Sequence, residues 1–131
     1  MKRSPHFLNL DVVLKSDSDL GALVAHLNQD ERILVLSYQE YERQFLLVLE
    51  LALGPAPDAQ WCTQQFLTII TELPDAALEL WKGCISRTFS YGFEGGCDNP
   101  ALDITISAEM LLQIGRLGAD IGITVYPCQT D

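Results

Sequence analysis

A chain of 131 residues, 48% of them hydrophobic and with no Pro/Ser/Gly-rich or like-charge run, has the length and composition of one folded domain over residues 1–131. Its 18 acidic against 8 basic residues give a net charge of -10, a surface that repels a phosphate backbone, disfavours a nucleic-acid partner and attracts a basic protein. No apolar run reaches transmembrane length, and Ser4-Pro5-His6 and Asp11 interrupt any secretory core after Met1-Lys2-Arg3, so a cytoplasmic protein with no membrane partner is expected.

In chain order, Leu10-Asp11-Val12-Val13-Leu14 reads as a first strand. Ser16 and Ser18 stand where a helix carrying Leu20, Leu23, Val24 and Leu27 begins, and Ile33 to Tyr38 reads as a second strand. Gln39 to Arg43 turn the chain into a third strand, Phe45 to Leu51, giving a hairpin. Gly54-Pro55-Ala56-Pro57 stops that strand, because proline removes ladder donors. Asp58 is then the N-cap of a helix through Thr71, whose Trp61, Cys62, Phe66, Leu67, Ile69 and Ile70 form a wide apolar stripe. Beyond Pro74 comes a short helix from Asp75 to Lys82, with Asp75 as cap and Gly83 as its stop.

Ile85 to Phe93 alternates, with Ile85, Arg87, Phe89, Tyr91 and Phe93 on one side and Ser86, Thr88, Ser90 and Gly92 on the other, the pattern of a strand with an aromatic face. Glu94 to Pro100 is a loop of turn-forming residues, read as a hairpin connection. Leu102 to Ile106, Ser107 as a cap, a helix with Leu111, Ile114 and Leu117, and Ile121 to Tyr126 then repeat the strand-helix-strand plan of the first 38 residues. The expected fold is α+β, with a mostly antiparallel or mixed sheet of about six strands and the helices packed on one face. Residues 7–93 have the element order of a ferredoxin-like split β-α-β unit, and residues 102–126 add a further β-α-β unit.

Catalytic chemistry finds little to stand on. Cys62, Cys84, Cys97 and Cys128 are widely spaced, without a Cys-x-x-Cys pair and far in sequence from His6 and His26, so free thiols, no metal and no cofactor are expected. Gly92-Phe93-Glu94-Gly95-Gly96 lacks the following helix N-terminus and the Lys of a phosphate loop, and Ser107 and the Ser16/Ser18 pair are explained by capping. Asp11 and Asp103 hold equivalent places in the two copies, where a carboxylate pair could do acid–base work, with strand-edge solvation the simpler reading. Arg87 either pairs with a carboxylate across the sheet or points into a groove. The expectation is a protein that is not an enzyme.

Three C-terminal segments, Phe89 to Gly96, Pro100 to Leu112 and Leu117 to Tyr126, together resemble a family of small bacterial proteins catalogued only as a domain of unknown function. Its pattern is a strand, a Ser-x-Glu-Leu-Leu helix, Leu-Gly-Ala and a closing β-branched strand ending on Tyr; here Gly122 replaces the acidic residue of that closing strand. The likeness covers the last third of the chain strongly and the middle helix weakly. It implies no accepted catalytic residues and a place in toxin-immunity gene neighbourhoods. With the acidity, this points to an interaction protein that neutralises a basic bacterial toxin by surface binding, with Glu94, Asp98, Arg87 and Tyr91 as candidate contacts. The alternative is a small-molecule-binding or regulatory domain that uses the open sheet face, lined by the aromatic and small residues of Ile85 to Phe93.

Overall fold

The computed structural model describes residues 4–52, 58–97 and 101–128. Along them run β1 (His6–Ser16), α1 (Gly21–Leu27), β2 (Ile33–Tyr41), β3 (Gln44–Leu51), α2 (Ala59–Thr71), α3 (Asp75–Lys82), β4 (Ser86–Glu94), α4 (Ala108–Arg116) and β5 (Asp120–Tyr126). The strands form one open mixed sheet in the order β2-β3-β1-β4-β5, antiparallel throughout except for the parallel pair β4-β5. No helix among the described residues is long and apolar enough to cross a membrane.

Strand alternation decides which face is covered. Leu10, Val12 and Leu14 of β1, Leu47 and Leu49 of β3, and Phe89, Tyr91 and Phe93 of β4 are buried on one face, where Phe66 of α2 meets Phe89 edge-on at 6.1 Å. Leu23 and Leu27 of α1, Ala77 and Trp81 of α3 and Ile114 of α4 complete that core, so the helices share one layer. The opposite face carries Asn9, Asp11, Val13 and Lys15 of β1 between Leu46, Val48 and Glu50 of β3 and Ser86, Thr88, Ser90 and Gly92 of β4.

The helix ends follow local chemistry. Asp58 accepts from the Trp61 N–H at 2.7 Å and Ser107 from the Met110 N–H at 3.2 Å, as their positions before apolar runs predict. The start of α1 differs from expectation: Ser16 is buried and bonds the Ser18 N–H, while Asp19 accepts from the Gly21 N–H at 2.7 Å and from the Tyr38 hydroxyl. Asp75 is the first residue of α3, with Pro74 in the capping place. Gly118, at φ 70°, closes α4 by sending the Ala119 N–H back to the Ile114 carbonyl at 3.1 Å, a turn that a side chain would strain.

Three expectations are corrected. The strand expected over Leu102 to Ile106 is not formed, which makes five strands in place of about six and ends the likeness between the two halves. Both edges of β4 are occupied, by β1 and β5, and a parallel β4-β5 pair needs its connection to return the length of the sheet. Residues 101–107 supply part of that return, leading into α4, so Glu94 to Pro100 does not lead into a hairpin partner. Lastly, the cysteines are not all free: Cys97 and Cys128 form a disulfide, Cα atoms 5.6 Å apart, while Cys62 and Cys84 are buried thiols. Residues far apart in sequence become neighbours because parallel β4 and β5 end at the same end of the sheet.

Candidate functional site

That shared end is where side chains converge. Glu94, the last residue of β4, lies in register with His6 of β1 and Tyr126 of β5. The ladder continues one step further, the Gly95 N–H donating to the Tyr126 carbonyl at 2.8 Å. At Gly96 a Cβ would collide with the Pro5 ring, so only glycine lets the loop lie against the N-terminal segment. The Cys97–Cys128 bond then fastens the exit of β4 to the exit of β5.

Beside this pinned end opens a cleft of about 290 Å³, lined by Phe93, Glu94, Leu102, Ile104, Ile123 and Val125 together with Pro5 and Gly95. A second cleft of about 190 Å³ shares Ile104 and is lined by Asp58, Ala59, Gln60, Asp103 and Thr105. Together they bring apolar side chains near three carboxylates, Glu94 in the first cleft and Asp58 and Asp103 in the second, and among the described residues neither is lined by a Lys or Arg. A broader depression around His26, Gln29 and Glu31 lies along the turn from α1 to β2; there the Arg32 guanidinium binds Asp30 at 2.7 Å and Glu72 at 2.8 Å.

The four residues singled out in the sequence divide. Glu94 lines the apolar cleft. Asp98 lies outside the described residues. Tyr91 is corrected as a contact residue: it is 2% exposed, and its hydroxyl meets the Thr63 hydroxyl at 2.6 Å while Thr63 donates to the Ala59 carbonyl. Burial raises the Tyr91 hydroxyl above its usual range, and the Thr63 bond offsets part of the rise. Arg87 does not pair with a carboxylate across the sheet. Its guanidinium donates to the carbonyls of Trp81, Lys82 and Cys84 at the end of α3 and to that of Gly118 after α4, at 2.8 to 3.2 Å. It therefore supplies partners for carbonyls that a helix end leaves unpaired.

Compared with protein-family models, curated proteins and solved structures, the chain matches none. Its own geometry carries the argument. Leu102, Ile104, Ile123 and Val125 escaped the sequence reading because only the parallel crossover brings them together. A signal for part of the set was present in β5, whose six residues Ile121 to Tyr126 include no charge in a chain that is 20% charged. The pairing of Asp58 with Asp103 across one cleft has no local sequence signal.

The carboxylate pair that does form on the sheet is also not the one expected. Asp103 sits on the crossing segment, and Asp11 instead faces Glu50 on β3 in direct register. Burial and the Glu50 charge raise Asp11 above its ordinary value, against a 3.3 Å bond from the Asn9 amide that lowers it.

Proposed function

We propose that this chain is an acidic interaction protein without enzymatic activity, of the immunity type, that neutralises a basic bacterial toxin by covering it. The observation that carries the reading is the apolar cleft at the pinned end of the sheet, lined in part by Glu94, with Asp58 and Asp103 lining the cleft that shares Ile104 with it. A protein interface has this anatomy: a desolvated apolar centre provides affinity, and charged groups around it set orientation and arrival rate. The net charge of -10 and the resemblance of the C-terminal third to immunity-associated proteins support the same reading. In this proposal the four strands β2-β3-β1-β4 are a ferredoxin-like split β-α-β scaffold, and α4 with β5 is the addition that builds the cleft.

The cytoplasm is the proposed location, beside a toxin made in the same cell. The Cys97–Cys128 bond weighs towards an oxidising compartment such as the periplasm, and fractionation of cells decides between them. The alternative of a small molecule on the open sheet face has less support, because Phe89, Tyr91 and Phe93 lie under the helices and leave that face the small residues of β4.

The test is co-expression with the neighbouring gene product, scored by co-purification and by rescue of growth. Replacing Glu94 and Asp98 together by Lys should weaken toxin binding by about 2 kcal/mol or more where those groups are desolvated at the interface. Failure to bind or protect against any adjacent toxin ends the immunity reading, and a small molecule retained through purification would favour the alternative.

A further inference from the structure

β5 is an edge strand, and among the described residues no strand pairs with its outer side. Because the Gly95 N–H reaches the Tyr126 carbonyl, Tyr126 and, at the two-residue period of a strand, Thr124 and Gly122 direct their backbone groups towards β4. The N–H and C=O groups of Ile121, Ile123 and Val125 then point outwards. Their side chains are exposed too, Ile123 by 68% and Val125 by 62%, and Tyr126 by 52%. Proteins commonly guard such an edge with a charge, a proline or a bulge. The other edge, β2, has a bulge between Val35 and Ser37; β5 pairs in unbroken register and has none of these devices between Ile121 and Tyr126.

We propose that this edge pairs with β5 of a second copy of the chain, antiparallel about a two-fold axis at Ile123, joining two five-stranded sheets into one. The choice of occupant rests on self-complementarity. In that register Ile123 faces its own copy, Ile121 faces Val125, Gly122 faces Thr124, and Asp120 faces Tyr126. No carboxylate meets its own copy, although each chain carries a net charge of -10. Beyond Asp120 at its start, this stretch of edge offers a basic partner no acidic group, whereas a second copy finds a matching apolar row and outward donors opposite outward acceptors.

Sedimentation of the purified chain alone tests the pairing independently of any toxin. The chain should form a dimer that tightens as salt rises, since salt screens the repulsion between two acidic bodies; binding of a basic toxin would weaken with salt instead. Ile123→Pro removes one outward N–H and no bond to β4, so it should give a monomer with a preserved circular dichroism spectrum. Ile123→Cys should cross-link to its own copy with oxidised glutathione, because facing Cα atoms about 5.5 Å apart suit a disulfide. Val125→Cys alone should not, since its copies would stand about 14 Å apart along the strands. A chain that stays monomeric up to about 1 mM, a dimer that survives Ile123→Pro, or cross-linking at 125 in place of 123 would overturn the proposal. If Ile123→Pro fails to fold, the cysteine pair still decides.

Discussion

At Asp11 a carboxylate stands on the central strand of the sheet, opposite Glu50 and raised above its ordinary value of 3.8 by burial and by that neighbour. A proton held more tightly in the folded state than in the unfolded one stabilises the fold at acid pH. The folded state therefore loses stability as pH rises from about 4 through the raised value. Asp11→Asn should stabilise the protein at pH 7 by about 0.5 kcal/mol, the scale of a like-charge pair facing across strands. Denaturant melts at pH 7 and pH 3 check this, with the gain expected only at the higher pH. Asp19 titrates in the opposite sense: bonds from the Tyr38 hydroxyl and the Gly21 N–H lower its value, so its contribution is present at neutral pH and lost in acid.

The β2-β3 hairpin turns on two residues, Glu42 at φ 51° and Arg43 at φ 68°, between the facing pair Tyr41 and Gln44. Two positive φ values in succession make the turn that matches strand twist, at a steric cost that residues with a Cβ bear and glycine does not. Arg43→Gly should raise stability by about 1 kcal/mol, read as a higher denaturant midpoint at unchanged slope. Elements whose signals are local were legible in the sequence: the hairpin, the caps at Asp58 and Ser107, and the alternation of β1 and β4. Leu102 to Ile106 was not, because β-branched alternation reports an extended, half-buried segment and says nothing of whether a neighbouring strand is free to pair with it. Of the residues lining the two clefts, the sequence singled out Glu94 as a candidate contact and Asp103 as half of a carboxylate pair. Tyr91 and Arg87 share a face with Phe89, as alternation requires, but which face the helices cover depends on residues distant in sequence, and that put one in the core and the other on helix carbonyls.

For the molecule as a whole, one covalent bond sets the stability of the added unit. The Cys97–Cys128 disulfide spans a sequence separation of 31, and its chain-entropy contribution is about 3–4 kcal/mol. Reduction, or Cys97→Ser with Cys128→Ser, should lower the unfolding free energy by that amount. In denaturant two thiols should titrate without reductant and four with it. Burial, and secondarily the Asp58 charge, pushes the Cys62 thiol up to about 11, and burial also raises Cys84, so native protein should react slowly with thiol reagents. The same bond alters how the fold carries a mechanical load. Tension applied to the C-terminal end enters at Cys128 and passes through sulfur to Cys97 at the exit of β4, so α4 and β5 form a slack side branch that bears none of it. A single molecule pulled from its ends should lengthen by about 100 Å less on unfolding than its residue count allows, and reductant should restore the missing length.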